Sequence, residues 1–332
     1  MKFNFKRNFS ECIGNTPIIK LKVASEISGC EIYGKCEFLN PGGSVKDRPA
    51  LQIIKDAIKK KHIEKGGTIV EGTAGNTGIG LCLVGNSIGL NSIIVMPRTQ
   101  SNEKKKMLKL CGAELKLVDA LPYKNPGNYI RYSETLAKSI VNEHGVLWAN
   151  QFDNLSNKKS HYLTTGPEIY KQLSQKVDAF ICSIGTGGTI SGVSDFLKEK
   201  NKNIVIGLAD PMGSAMHNFY KNGKLKSTGS SITEGIGQGR ITRNLENAVI
   251  DESFQITDTE ALNIVYEMVR KEGLILGGSS GVNIMGAVKL GKLIGPNKKI
   301  VTILCDYGTK YESKIFNKKF LKDKELPIPE WL

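Results

Sequence analysis

The stretch AFICSIGTGGTISG, residues 179–192, carries the strongest information about the fold. Its apolar start, 179–184, predicts a buried strand, its glycine-rich centre predicts a tight turn, and its end predicts the start of a helix. The stretch TIVEGTAGNTG, residues 68–78, repeats this order. Strand, turn and helix in that succession are typical of parallel sheets, so we predict an α/β fold.

Further strands and helices alternate along the chain. The apolar runs at 92–96, 114–118, 203–209 and 300–305 predict strands, while a basic segment that ends near Cys111 and the segment 258–271 predict helices. Thr257 and Glu260 form a capping-box pattern in front of the second helix. We expect two domains with mostly parallel sheets flanked by helices. The smaller comprises residues 45–150, and the larger comprises 1–44 and 151–332.

Composition indicates a globular protein and excludes several other classes. Of the 332 residues, 40% are hydrophobic and 23% are charged, and no apolar run approaches the ~20 residues that a membrane helix needs. We see no secretory signal and expect a cytoplasmic protein, with a short organelle presequence as the alternative. The seven cysteines show neither CxxC pairs nor Cys/His ligand spacing, which predicts reduced thiols and no metal site.

The net charge of +14 raises the question of nucleic-acid binding. The lysines fall in runs such as 55–65 and 102–109 that are typical of the solvated faces of helices, and no recognition motif accompanies them. We therefore expect no nucleic-acid partner, and regard attraction of anionic metabolites as a secondary effect of the charge.

The first glycine-rich turn predicts a phosphate site. Its members are Gly185, Thr186, Gly187, Gly188 and Thr189. Backbone N–H groups at the start of a helix suit an anion, and glycines let it approach closely. No Gly-Lys-Ser/Thr ending is present, which excludes a P-loop, and Ile190 stands where a dinucleotide fingerprint needs glycine. NAD binding is thus only a minor alternative.

Two more turns of this kind follow predicted strands or precede helices. Residues 72–78 offer backbone donors and the side chains of Thr73, Asn76 and Thr77, which suit a carboxylate. Residues 277–281 contain Ser279 and Ser280, and we expect one of these serines to cap the helix that follows.

The ordered set of motifs resembles one enzyme family. PGGSVKDRP, EGTAGNTG, NQFDN followed by HYLTTGPEI, GTGGTISG, EGIGQG and GGSSG occur between about residues 10 and 290. They are similar to the motifs of fold-type II pyridoxal-phosphate enzymes, and most similar to the cysteine synthase (O-acetylserine sulfhydrylase) and cystathionine β-synthase branch. The resemblance implies pyridoxal 5'-phosphate as cofactor, a tryptophan synthase β-like fold and a homodimer.

The resemblance also implies roles for individual residues. Lys46 would form the Schiff base with the cofactor, the turn 185–189 would hold its phosphate, Asn76 would bond its ring hydroxyl and Ser279 its pyridine nitrogen. The substrate carboxylate would lie against Thr73, Ala74, Asn76, Thr77 and Gln151. For His161 we expect a structural role.

The implied reaction is replacement of the β-substituent of an O-activated serine, with O-acetylserine and sulfide giving cysteine and acetate. Four alternatives stay open: homocysteine as the nucleophile, which gives cystathionine; O-phosphoserine as the substrate; net elimination from cysteine or serine; and a catalytically inactive relative that acts through partners. Three departures from the family pattern bear on the substrate: Ala74 replaces a usual serine, Arg240 and Thr242 replace a hydrophobic residue and a proline, and segment 305–316 differs. We expect Arg240 to be a surface residue, with recognition of an anionic leaving group as the alternative.

Overall fold

The computed structural model describes residues 5–332; the first four residues, which belong to the basic N-terminus and to the predicted larger domain, lie outside the described residues. The strands are β1 Ile18–Lys20, β2 Glu31–Cys36, β3 Thr68–Gly72, β4 Asn91–Pro97, β5 Glu114–Val118, β6 Val146–Trp148, β7 Ala179–Cys182, β8 Val205–Pro211, β9 Glu252–Ile256 and β10 Lys299–Leu304. The helices are α1 Lys22–Ser28, α2 Asp47–Lys59, α3 Asn76–Asn86, α4 Asn102–Leu110, α5 Tyr129–Ser139, α6 Ser156–Ser160, α7 Gly166–Gln172, α8 Gly188–Lys200, α9 Met216–Asn222, α10 Asp258–Glu272, α11 Gly278–Ile294 and α12 Lys318–Asp323.

One sheet has six strands in the order β1-β2-β10-β7-β8-β9, and all its pairs are parallel except β1 with β2. Alternate residues of a strand point to opposite faces. In β10, Ile300 and Leu304 accordingly join one core with α10 and α11, whereas Val301 and Ile303 join a second core with α8. This sheet is therefore buried on both faces, as expected for parallel strands.

The other sheet has four parallel strands in the order β5-β4-β3-β6. Ile53 and Ile54 of α2 pack with Ile69 of β3 in one core, and Leu108 of α4 packs with Ile94 of β4 in another. Each sheet therefore packs into cores of its own.

Most predicted elements are confirmed to within two or three residues. Thr257 and Glu260 form the predicted capping box of α10, and Gly273 ends that helix in the left-handed conformation. The sequence analysis missed β1, β2, β6 and β9, which are short or contain polar residues. In β2, for example, Lys35 is fully buried.

The topology brings the ends of three strands to one place. β3, β6 and β7 run parallel to their neighbours, and each ends in a loop that leads to residues of the predicted site. Ligands of parallel sheets bind beyond these carboxyl ends. No helix among residues 5–332 has the length and apolar character that crossing a membrane requires.

Candidate active site

A cavity of about 590 Å³ lies at these strand ends and contains most of the predicted site. The predicted residues that line it are Lys46, Thr73, Ala74, Asn76, Thr77, Gln151, Gly185, Thr186 and Ser279. An adjoining cavity of about 20 Å³ is lined by Lys46, Gly187 and Thr189. Gly188 does not line either cavity and contacts Asn157 behind the turn. The fold thus brings together side chains that are up to 233 positions apart in the sequence, from Lys46 to Ser279.

Lys46 lies at the start of α2, and its backbone N–H bonds the Ser44 hydroxyl at 3.3 Å. The next residue, Asp47, is fully buried, and its carboxylate accepts a bond from the Gly42 N–H at 2.6 Å. Burial raises the pKa of Asp47 to about 7, although the Gly42 bond opposes the rise. These contacts fix the loop that carries Lys46.

A buried ion network anchors the first turn of α2. Arg48 is 3% exposed and bonds Glu37 at 2.7 Å and Glu168 at 2.7 Å, while Lys35 bonds Glu168 at 2.6 Å. Burial opposes the charge of Glu168, but the two cations outweigh it and lower its pKa to about 2. This network connects β2, α2 and α7, and its central residue, Arg48, lies two positions after Lys46.

The residues expected to hold the substrate carboxylate, here called the carboxylate seat, are Thr73, Ala74, Asn76, Thr77 and Gln151, and most of them follow β3. Gly75 precedes α3 with φ +136°, a conformation that favours glycine, and its N–H bonds the Thr73 hydroxyl at 3.1 Å. Thr77 donates to Gln151, whose own amide faces the Gly72 carbonyl at 3.4 Å. The first N–H groups of α3 have no intrahelical acceptor and point toward the cavity end of the helix, which suits an anion.

Glu71 lies beneath this seat in β3 and is 1% exposed. Burial raises its pKa to about 8, even though donors on Gln151 and on the Asn150 backbone face the carboxyl and oppose the rise. One oxygen, Oε2, has no hydrogen-bond partner among residues 5–332. Burial thus favours the neutral form of Glu71, which faces the Gln151 donors.

The phosphate turn, residues 185–189, is supported by a neighbouring asparagine. Asn157 donates to the Thr186 hydroxyl at 2.8 Å and to the Gln151 carbonyl at 2.9 Å, so it connects this turn with the carboxylate seat. A side chain at Gly188 would collide with the Asn157 amide, and Gly187 has φ +87°. The sequence analysis did not single out Asn157, although it follows the NQFDN motif closely.

His161 is fully buried and contacts Thr165 at 2.9 Å and Thr189 of the phosphate turn at 3.2 Å. Burial, together with the nearby charges of Arg48 and Lys46, lowers the pKa of His161 well below its usual range. His161 is thus a neutral, packed side chain, as expected for a structural role.

The turn 277–281 places Ser279 at the cavity, but the prediction that Ser279 or Ser280 caps α11 is wrong. Gly277 is the N-cap of α11 and no side chain caps the helix. Ser280 instead accepts a bond from the Cys305 N–H at 2.8 Å. Gly277 lies against the Asp306 carboxylate and Gly281 against the Ala261 carbonyl of α10, and a Cβ at either position would collide.

The expectation that Arg240 is a surface residue is wrong. Its side chain is 24% exposed, lines the cavity and forms two bonds with Asp153, at 3.1 and 2.8 Å. The guanidinium lies 4.6 Å from the ring centre of Tyr123. Asp153 is distant in sequence, so nothing local indicated this pairing.

The sequence analysis also missed an ionic cluster at the cavity wall. Glu234 of the EGIGQG motif bonds Lys104 of α4 at 2.7 Å and also bonds Lys314. Lys104 is 2% exposed and lies 4.3 Å from the ring centre of Tyr311. With Lys46 and Arg240, the cavity wall has an excess of cations, which suits anionic ligands.

These features fit pyridoxal phosphate. A Cβ at Gly185 would collide with the Gly235 carbonyl, so this position of the turn requires glycine. The turn precedes α8, whose N-terminus favours a phosphate. Asn76, Ser279 and Lys46 border the same space with an amide, a hydroxyl and an amine, the groups that the ring and aldehyde require. No group of three or more His, Cys, Asp or Glu side chains in the described part of the chain could hold a metal ion.

The chain belongs to the family of pyridoxal-phosphate dependent enzymes, whose family model matches residues 9–306. The predicted cofactor and the predicted fold type II are thereby confirmed.

Individual relatives are similar over nearly the whole chain. Cysteine synthase 1 of Neurospora crassa is 47% identical, with 98% of this chain and 88% of that protein covered. Cysteine synthase 1 of Emericella nidulans is 46% identical, with 99% and 90% covered. The crystal structure of an O-acetylserine dependent cystathionine beta-synthase from Helicobacter pylori superimposes with a TM-score of 0.85 at 32% identity, covering 94% of this chain and 99% of that one.

Proposed function

We propose that this enzyme replaces the β-substituent of an O-activated serine with sulfide, and that O-acetylserine and sulfide give cysteine and acetate. The observation that carries the proposal is the cavity that brings Lys46, the carboxylate seat with Gln151, the start of the phosphate turn and Ser279 together. The cysteine synthases among its relatives support the same reaction.

Lys46 is proposed as the residue that binds the cofactor covalently and, once the substrate's amino group has displaced it from that bond, acts as general base. Bound pyridoxal phosphate supplies an electron sink for the pair left when the α-proton leaves. The Lys46 amine takes that proton, the Cβ–O bond breaks and acetate departs with its electron pair. Sulfide then forms the Cβ–S bond, and Lys46 returns the proton to Cα.

The other residues are proposed to bind and orient. The N–H groups that begin α3, together with Thr73, Asn76, Thr77 and Gln151, hold the substrate carboxylate, while Ala74 contributes only its backbone. Ser279 offers a neutral hydroxyl to the ring nitrogen, which does not force its protonation and so favours β-replacement over transamination.

Purified protein loaded with pyridoxal phosphate tests the proposal directly. O-acetylserine and sulfide should give cysteine and acetate, identified by mass, and Lys46→Ala should lose this activity. A matched control is Lys289→Ala in α11, whose side chain pairs with Glu260 and is absent from the cavity wall. Full activity of Lys46→Ala would contradict the assignment.

Cystathionine formation is the second candidate, because the Helicobacter pylori protein of the same fold is named for that reaction with O-acetylserine. The segment ADPMGSA, 209–215, also resembles a segment of those enzymes. Supplying homocysteine and sulfide separately, and together, distinguishes the two nucleophiles by the mass of the product. Pyruvate formed without any nucleophile would reveal net elimination.

We further propose that the leaving group is uncharged in the bound substrate, as in O-acetylserine. Asp153 neutralises Arg240 with two bonds, so this guanidinium is not free to bind a phosphate. Asp153→Asn keeps the shape but releases the charge, and should raise the use of O-phosphoserine relative to O-acetylserine severalfold. The double variant Asp153→Asn with Arg240→Ala should lose that gain. Equal ratios in the wild type, Asp153→Asn and the double variant would contradict the proposal.

A homodimer in the cytosol is proposed for the assembled enzyme. All seven cysteines are free thiols, five of them buried, which fits a reducing compartment. Light scattering of the purified protein measures the number of subunits, and cell fractionation tests the location against import into an organelle.

A further inference from the structure

Asn76, which lines the cavity, is held at both ends of its side-chain amide. The amide nitrogen donates to Asp306 Oδ2 at 2.7 Å, and the amide oxygen accepts from Lys310 Nζ at 3.1 Å. Both partners belong to the segment after β10 that differs from the usual family pattern. They lie 230 and 234 positions away in the sequence.

The charges of the two partners allow only one orientation of this amide. If the amide turned over, its oxygen would face the Asp306 carboxylate and its NH₂ group would face the Lys310 ammonium, which places acceptor against acceptor and donor against donor. Asp306 is fully buried and also accepts from Tyr311 at 2.8 Å, so it cannot move away cheaply.

Lys310 also connects this amide with the loop that carries Lys46. Its ammonium donates to the carbonyls of Gly42 at 3.2 Å and Gly43 at 3.0 Å. One cation therefore bridges the loop before α2 and the first residue of α3. Because each loop carries a residue of the proposed cofactor site, Lys310 sets the distance between them.

We propose that Lys310 and Asp306 are positioning residues, which hold Asn76 so that one amide N–H faces the cavity and can donate to the cofactor's ring hydroxyl. A side-chain NH₂ group has two hydrogens, and Asp306 takes one of them. The inference rests on the proposed cofactor role of Asn76. It assigns to segment 305–316 a direct part in the site, where the sequence analysis noted only divergence.

Equilibrium dialysis against pyridoxal phosphate, with the visible spectrum of the bound cofactor, tests the inference. Lys310→Met should weaken cofactor binding about tenfold or more and shift the absorption maximum, because charged hydrogen bonds hold the amide in place. Lys310→Arg keeps a cation at this position and should restore most of the affinity. The matched control Lys289→Met, a partly buried lysine in α11, should bind the cofactor like the wild type.

Asp306→Asn gives an independent test if Lys310→Met does not fold. It retains the shape but removes the charge that orients Asn76, so it should also weaken binding and broaden the absorption band. The unfolding midpoint of each apoprotein separates loss of fold from loss of binding. Wild-type affinity and an unchanged spectrum in folded Lys310→Met or Asp306→Asn would overturn the inference.

Failure of the proposed function would look different. A wild-type protein that binds pyridoxal phosphate but forms no cysteine would refute the reaction, while dialysis of the variants would still decide the roles of Lys310 and Asp306. Kinetics add a further readout: at saturating cofactor a displaced Asn76 should lower kcat and, because Asn76 is also proposed to hold the substrate carboxylate, raise KM for O-acetylserine.

Discussion

Replacing Glu71 with glutamine should make the protein more stable at alkaline pH. The unfolded carboxyl ionises near pH 4.5, whereas burial keeps the folded carboxyl protonated up to about pH 8. Between these values the unfolded state binds fewer protons, so the free energy of unfolding falls as pH rises, and the loss is complete above about pH 8. Glutamine has nearly the shape of the neutral carboxyl but does not ionise, so this pH-dependent loss in the free energy of unfolding is absent from Glu71→Gln.

The magnitude follows from the pKa. One pKa unit corresponds to 1.36 kcal/mol, so the whole rise is worth roughly 5 kcal/mol at high pH. Between about pH 5.5 and pH 8, the stability of Glu71→Gln relative to wild type should increase by roughly 3 kcal/mol. Other titrating groups, including Asp47, are common to both proteins and cancel in the difference.

Urea unfolding of both apoproteins at a series of pH values measures this difference. The control Glu330→Gln alters a side chain that is 88% exposed and should give a difference that does not grow with pH. A Glu71→Gln effect that is equal at pH 5.5 and pH 8 would refute the claim that Glu71 is buried and protonated beneath Gln151.

Three other substitutions test separate parts of the structure. Arg48→Met removes the cation that pairs with buried Glu37 and should lower the free energy of unfolding by about 3–5 kcal/mol in urea, against under about 1 kcal/mol for Lys138→Met at an exposed pair. Gly187→Ala forces a side chain onto φ +87° and should weaken cofactor binding about tenfold or more in dialysis. Thr257→Ala removes the capping box of α10 and should cost about 1 kcal/mol by thermal unfolding. Equal stability of Arg48→Met and Lys138→Met would contradict the role of the buried ion network. Wild-type affinity of Gly187→Ala would contradict the role of this glycine at the cofactor site. An unchanged melting curve of Thr257→Ala would contradict the stabilising effect of the capping box.

Local sequence patterns predicted the parts of the fold that depend on neighbouring residues. β3 and β5 are continuous apolar or alternating runs, α10 has its own capping box, and Gly112 follows the end of α4 with φ +77°. The glycine-rich turns were equally visible, because tight turns and anion sites need glycine at fixed positions.

What the sequence could not reveal depends on contacts between distant segments. Lys35 is fully buried in β2 because Glu168 lies opposite it, 133 positions later. Arg240 was expected at the surface because its partner Asp153 is 87 positions away. The role of Lys310 is visible only once folding places its ammonium beside Asn76.

Whether Lys46 binds the cofactor covalently can be decided by chemical trapping of the bond. Treatment of the loaded wild-type protein with borohydride fixes the bond between cofactor and lysine, and peptide mass spectrometry then locates the label. We expect a phosphopyridoxyl group on the peptide that contains Lys46. A label on Lys310 or on any other lysine, or a protein without label, would contradict it.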